Sequence, residues 1–382
     1  MHKKESGPLK IVRVDTYPLF YPIKQPYGDA NGYKRYRTCF LFRITTQSGI
    51  TGWGECTDWL PTLKIGFEGR IIPYLMGKQA LNRIELVNHI KKWHQRAAAG
   101  VSMALTEIAA KFSGLSISDL WGGSLRSVVP VYASFQSYTD QAEWIKHSLH
   151  LVEQATERGF NKLKVKVGGK SFSEDLLHIQ YFQDLWMEKC QLILDANQSY
   201  DFATARRWES FFSKWNNLLW FEEPLPMNQV SDYKLLRSCL SVPIAGGENL
   251  KSAAEFLPHL REGAIDIMQP DVAHEDGVDG YRHTLQMSRV FGLRASPHTF
   301  DGALSRLYTL IAHACLPPWS KMDQQEIEPV EWDAMENELT LVIPIEPVAG
   351  GVSIPTGMGI GMELDLQILK RYQWDGSMYN TQ

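Results

Sequence analysis

The second half of the chain repeats one pattern. A short apolar run stops on a charged or ionisable residue, and a longer segment with apolar residues at helical spacing follows. The runs are Leu163-Lys164-Val165-Lys166-Val167, Leu192-Ile193-Leu194-Asp195, Leu219-Trp220-Phe221-Glu222-Glu223 and Ile244-Ala245-Gly246-Gly247-Glu248. Residues 265–271, ending on Asp271, and 294–298, ending on His298, continue the series. A first strand is predicted at Val128-Val129-Pro130-Val131-Tyr132-Ala133 and a last one at 327–331. Successive ends lie roughly 25–30 residues apart, the period of one β/α unit in an eight-fold barrel. Helices are predicted between them at 141–158, 172–189, 201–216, 231–240, 253–262, 277–291 and 303–316. Such alternation predicts an α/β fold, a (β/α) barrel whose apolar strands are buried and whose tips form a functional rim.

The first ~125 residues do not keep this rhythm. Residues 11–19 alternate like a strand, and 39–46 with 49–55 predict a hairpin around Gln47-Ser48-Gly49. Residues 21–37, rich in Gly, Pro and Tyr, predict a long loop, and such loops are usually functional or disordered. Residues 80–94 and 101–113 predict helices. Near the C-terminus, Gly357, Gly359 and Gly361 break the rhythm again, so the tail is expected to leave the barrel and pack on the N-terminal part.

Composition narrows the classes. With 382 residues, 44% hydrophobic, the chain can bury a large core. A formal net charge of −4 gives no basic footprint for nucleic acid. No apolar run approaches the ~20 residues of a membrane span, and no apolar stretch follows the basic start of the chain, so no membrane partner and no secretory signal are expected. Five scattered cysteines without a C-x-x-C suit a reducing cytoplasm better than a disulfide framework or zinc site.

Three carboxylates, Asp195, Glu222 and Glu248, are predicted at the ends of neighbouring parallel strands. They would repel one another unless a cation sat between them, and a hard divalent ion such as Mg²⁺ suits all-oxygen ligands. The bland alternative is three separate acids paired with nearby Arg or Lys. Glu223 points the opposite way along its strand from Glu222. Asn197, just past Asp195, is a candidate hydrogen-bond partner of ligand or substrate. Lys164 and Lys166 share one face of a strand. Two close ammonium groups depress each other's pKa, so Lys166, nearer the rim, is the candidate base. Lys164 would hold a substrate carboxylate. Asp271 and His298 end the sixth and seventh strands, and a His held by a carboxylate is a usable acid or base near neutral pH. His274, His283 and His313 fall in loop or helix patterns and are taken as structural. At the eighth strand Glu331 is the first candidate to steady developing charge, Glu328 the second, and Glu326 lies nearby.

With these residues in place the chain closely resembles the mandelate racemase subgroup of the enolase superfamily over nearly its whole length. Gly52-Trp53-Gly54-Glu55 and Leu120-Trp121-Gly122-Gly123 look like that family's capping-domain signatures. Lys164-Val165-Lys166 resembles its K-x-K base motif. Asp195, Glu222 in Phe-Glu-Glu-Pro and Glu248 in Gly-Gly-Glu-Asn match its three Mg²⁺ ligands, and Asp271 with His298 matches its Asp-His dyad. Asp276 stands where a glycine is usual. The resemblance implies a modified TIM barrel, residues 128–349, with an N-terminal α+β capping domain, residues 1–127, completed by residues 350–382. It also implies removal of the proton α to a carboxylate through a metal-stabilised enediolate, the chemistry for which the superfamily is known. Dehydration of a sugar acid to a 2-keto-3-deoxy acid is the expected reaction. Racemisation or epimerisation with the same bases is the alternative, and a non-catalytic binding barrel a third reading. Residues 21–37 correspond to the segment that closes over substrate. Their Tyr27, Tyr33, Lys34, Arg35, Tyr36 and Arg37 suit a polyhydroxylated or dicarboxylic acid, with Tyr27 and Arg37 as candidate contacts. A small-molecule carboxylate partner and a homo-oligomer are expected.

Overall fold

Three antiparallel strands open the chain: β1 (Ile11–Asp29), β2 (Gly32–Thr46) and β3 (Thr51–Cys56), in that order across the sheet. The computed structural model describes residues 7–186, 188–321 and 327–379. Side chains alternate across a strand. Phe40, Phe42 and Ile44 of β2 therefore pack into one core with the helix Gln95–Phe112, while Cys39 and Leu41 face the barrel core. Both faces are covered, which explains the unbroken apolar run. The helix comes so close to β3 that a Cβ on Gly100 would lie 2.4 Å from the Glu55 carbonyl oxygen.

Residues 21–37 are not the loop expected from their composition. They are the far half of a hairpin formed by β1 and β2, paired Tyr21 to Arg37, Tyr27 to Lys34 and Gly28 to Tyr33, with a register shift between Pro22 and Tyr27. Pro22 and Pro26 interrupt the alternation and remove ladder donors. Those prolines hid the strand, although its many tyrosines favour β structure. The hairpin reaches over the barrel. Gly28 N donates to Tyr138 O at 2.8 Å, and Tyr138 N donates back to Gly28 O at 3.1 Å.

Eight parallel strands follow: β4 (Val128–Ser134), β5 (Lys162–Lys166), β6 (Gln191–Asp195), β7 (Leu218–Glu222), β8 (Ile244–Gly246), β9 (Ile267–Met268), β10 (Arg294–Ala295) and β11 (Val330–Asp333). They run in sequence order from β4 to β10, and β11 pairs with β4. At the β10–β11 seam, Glu331 N donates to Pro297 O at 3.3 Å and Ser296 Oγ to Pro329 O at 2.5 Å. The sheet thus curls into a TIM-barrel-like ring with helices outside. β9 and β10 are shorter than their apolar runs because Pro270 and Pro297 cannot donate to a ladder. Inside the ring, Tyr132, Ile193, Trp220, Ala245 and Ile267 form a separate cluster that plugs it beneath the strand tips. The helix expected over 201–216 is split into Phe202–Arg207 and Glu209–Phe212 around the buried Trp208.

β12 (Gly351–Ser353) pairs antiparallel with the start of β4. The tail then reaches the N-terminal sheet. Phe20 N donates to Tyr372 O at 2.9 Å, Trp374 N to Pro18 O at 2.8 Å, and Trp374 enters the core behind β2.

Candidate active site

The strand tips and the hairpin enclose a cavity of about 360 Å³. From the barrel come Lys166, Asn197, Glu248, Asp271, His274, His298, Phe300, Asp301 and Glu331. The hairpin contributes residues 33–37, and Arg96 comes from the start of the long helix. Among the described residues five non-glycine positions have left-handed φ. Four of them, Asn197, Gln198, Glu223 and Asp301, lie in loops just past β6, β7 and β10. Such strain concentrates where surrounding structure over-determines a site.

Asp195, Glu222 and Glu248 converge, each offering an oxygen within 4.8 Å of the others. Each also has an oxygen fixed by neutral donors. Asn197 N donates to Asp195 Oδ1 at 3.0 Å, and Asn249 Nδ2 to Glu248 Oε1 at 3.2 Å. Glu222 Oε2 takes Trp220 Nε1 at 3.0 Å and Gln269 Nε2 at 2.7 Å. The remaining oxygens face cations of the chain itself. Lys166 Nζ lies 2.5 Å from Asp195 Oδ2, Lys164 Nζ lies 2.6 Å from Glu222 Oε1, and His298 Nε2 lies 3.3 Å from Glu248 Oε2. Positive charge already sits where the free oxygens converge. An all-carboxylate donor set around that point fits a hard ion of the Mg²⁺ kind.

The lysines depart from expectation. Lys164 was expected to hold a substrate carboxylate. It is fully buried, absent from the cavity wall, and enclosed by Glu222, Glu331 at 2.8 Å and Asp195 at 3.2 Å. Nor is either ammonium held toward neutrality here. Burial, the largest single influence, and Lys164 pull Lys166 down, but Asp195 together with Asp29 and Glu248 outweighs them and its pKa is raised. Burial likewise opposes Lys164's charge, and Glu222 with Glu331 raises it well above the usual lysine value. The carboxylates win because opposite charges at 2.5–3.2 Å in a low-dielectric site outweigh desolvation.

Asp271 and His298 meet as expected, with Oδ2 and Nδ1 2.7 Å apart. Burial disfavours the imidazolium, yet Glu331, Glu248 and Asp271 together push its pKa up to about 10. Glu331 Oε2 also accepts from Thr299 N at 2.9 Å and lies 3.4 Å from His298 Nε2. Asn197 lines the cavity, and its Oδ1 has no hydrogen-bond partner.

Other candidates fall elsewhere. Glu328 is turned away from the cavity. Arg289 grips it with two nitrogens at 2.9 and 2.8 Å, and Ala295 N donates to it at 2.7 Å. It precedes β11, so it lacks the placement that brings Glu331 inward. Glu326 lies outside the described residues. Tyr27 is buried beneath the cavity wall; its hydroxyl donates to Glu336 O at 3.2 Å and accepts from Arg37 Nε at 2.6 Å. Arg37 does line the cavity, but its remaining nitrogens are committed to Asp301 and Asp333. Glu223 points away from Glu222 and accepts from Gly247 N at 3.0 Å and Gln198 Nε2 at 2.7 Å.

Sequence reasoning missed His274, taken as structural. It lines the cavity with Nδ1 2.8 Å from Glu248 O. Its place three residues past Asp271 was the available signal. Asp301 and Arg96 were missed too, because no strand-tip pattern marks them. Asp276, at the usual glycine position, takes Gln95 Nε2 at 3.0 Å and an ion pair from Lys91, tying the N-terminal helices to the barrel.

This arrangement defines a class: a barrel enzyme with an acidic triad that could hold a metal, a lysine and an Asp-His pair around one cavity. Residues 148–368 match the family model for the enolase C-terminal domain-like fold, and residues 14–122 match that for the mandelate racemase / muconate lactonizing enzyme N-terminal domain. The chain belongs to this family of the enolase superfamily. It is 27% identical over 377 residues to D-galactarolactone cycloisomerase of Agrobacterium fabrum, covering 96% of this chain and 99% of that one. It is 27% identical over 358 residues to arabinonate dehydratase of Saccharolobus solfataricus, covering 86% and 89%. The crystal structure of a racemase from Streptomyces coelicolor with bound magnesium shares the fold at a TM-score of 0.82 and 22% identity, covering 95% of this chain and 99% of that one. Magnesium is the ion that members of the superfamily bind, and the triad here could hold it.

Proposed function

We propose that this enzyme uses Mg²⁺ to remove the proton α to the carboxylate of a sugar acid, and that loss of a β-hydroxyl then gives a 2-keto-3-deoxy acid. The observation that carries this reading is the pairing of Lys166 and His298 in one cavity. They come from the second and seventh of eight strands, three steps apart around the ring, beside the same triad. Asp195, Glu222 and Glu248 would hold Mg²⁺, which when bound neutralises charge left on the substrate carboxylate by proton removal. Lys166 can act as a base once Asp195 is engaged elsewhere, since Asp195 is what holds its proton. His298, kept as an imidazolium by three carboxylates, is suited to protonate the departing hydroxyl. Asn197 Oδ1 is free to accept from a substrate hydroxyl. Glu331 steadies Lys164 and His298 rather than reaching substrate alone.

An epimerase or racemase is the second reading. The same lysine and histidine, on two sides of a planar intermediate, would remove a proton from one face and return it to the other. The relatives include both dehydratases and cycloisomerases, so dehydration and isomerisation both occur among them. A library of acid sugars incubated with enzyme and Mg²⁺ tests the primary reading. It predicts a 2-keto acid from at least one member, lost in EDTA. Metal binding and α-proton exchange with no keto acid from any member would favour the second.

A further inference from the structure

Asp301 follows His298 by three residues and lies at the meeting point of hairpin and barrel. Its carboxylate takes Lys34 Nζ at 2.6 Å and Arg37 Nη1, both from β2. The same two cations lie over the Phe300 ring, 4.8 and 4.7 Å from its centroid. Asn337 Nδ2 donates to Asp301 O at 3.0 Å, and Arg37 Nη2 lies 3.1 Å from Asp333 Oδ2. Asp301 has φ of +72°, a conformation that costs energy and persists only when its surroundings impose it. Between Asp301 and His298, Thr299 N is fixed by Glu331 Oε2 at 2.9 Å. The segment 298–301 is thus pinned by Asp271, by Glu331, by Asn337 and by the hairpin. Only the last of these anchors comes from outside the barrel.

We propose that Asp301 is a positioning residue that couples docking of the β1–β2 hairpin to the placement of His298, an inference that rests on the reading of His298 as an acid-base group. Lys34 and Arg37 serve as the hairpin's two hooks and are occupied by this role rather than by substrate. With the hooks engaged, the strained turn at Asp301 is held and His298 is presented toward Glu248. With them released, the turn relaxes and the segment that carries His298 loses one of its four anchors. Coupling of this kind is reciprocal: what loosens one partner loosens the other.

Hydrogen–deuterium exchange tests this without substrate, in three variants of the full chain. Lys34→Met removes a hook whose side chain is 36% exposed and leaves Asp301 paired with Arg37. Asp301→Asn removes the charge but retains a residue that tolerates left-handed φ. Lys34→Arg keeps a cation. The expected result is exchange roughly fivefold or more faster at 298–301 in Lys34→Met, and at 29–37 in Asp301→Asn, with near wild-type rates in Lys34→Arg. The helix Arg83–Lys91 should not change in any of them. Exchange that rises only in the altered segment overturns the coupling. On any acid that the wild type turns over, Lys34→Met should lower kcat more than it raises KM. A change in KM alone would make Lys34 a substrate contact and overturn the proposal. Reciprocal exchange in an enzyme that turns over no acid would uphold the coupling and sink the catalytic reading instead.

Discussion

His298 touches Asp271 through Nδ1, and Glu248 and Glu331 through Nε2, so every ring nitrogen faces an acid. Lys166 faces it from the other part of the ring. If these two handle the substrate's protons, His298→Asn and Lys166→Ala should each lower kcat by about 10²–10⁴-fold, the usual worth of a positioned acid or base. Steady-state kinetics on the best acid sugar measures this; near wild-type turnover in either variant would remove that residue from the mechanism. A second residue offers a test independent of catalysis. His178 is fully buried against Trp144, neither ring nitrogen has a partner, and burial pushes its pKa down to about 3. A folded-state pKa depressed below its unfolded value gives stability that is present above ~6.5 and lost as pH falls toward the folded value. His178→Phe should therefore gain on wild type by about 2 kcal/mol between pH 7 and pH 5 in urea titrations. An offset that does not change with pH would contradict this account of His178. At this scale the sequence was legible wherever a residue ended an apolar run, as Asp195, Glu222, Asp271 and His298 do. It was misleading for Lys164 and Glu328, whose partners Glu331 and Arg289 lie far away in the chain and leave no local mark.

The element that sequence patterning missed is the hairpin. Its pairing is broken by a register shift, and its composition of Gly, Pro and Tyr matches a loop as well as a strand. Only tertiary contact shows its role, through Gly28 on Tyr138 and Lys34 on Asp301. Gly28 also marks where the two strands crowd: a Cβ there would lie 1.9 Å from Gly32 O. Gly28→Val should force the tip open. We expect faster proteolysis at residues 29–37 and reduced turnover, with thermal melting shifted by no more than about 2–4 °C, the shift for a loss near 1 kcal/mol in a domain of roughly 150–250 residues. Unchanged proteolysis and full activity would show that the tip closes nothing. By contrast the barrel helices were legible to within a few residues, because amphipathic spacing is a local property. The split at Trp208 was not, since it answers to packing against Phe172, Phe212 and Phe221.

For the whole molecule, the β/α period alone predicted a parallel ring, and the ring determines which side chains can meet. Strand tips from seven different places in the chain converge only because the sheet curls, which is why the triad could be suggested from the sequence but its supporting donors could not. Trp220 and Gln269, which orient Glu222, are ordinary strand residues in the sequence. If the triad holds Mg²⁺, saturating metal should stabilise the fold by about 2.7 kcal/mol at 100 times Kd, read as a rise in Tm, and Asp195→Asn should abolish the rise. A Tm indifferent to Mg²⁺ would place the ion elsewhere. The central claim is that this site removes a proton from the carbon next to a carboxylate. The most direct measurement is proton NMR of the best acid sugar with enzyme and Mg²⁺ in D₂O. Loss of the α-proton signal is predicted, with deuterium at C3 of a 2-keto acid if the β-hydroxyl leaves, or at C2 of an inverted acid if it stays. It should vanish in Lys166→Ala or in EDTA. Turnover that leaves the α-proton in place, or α-exchange that survives loss of both Lys166 and His298, would contradict the account.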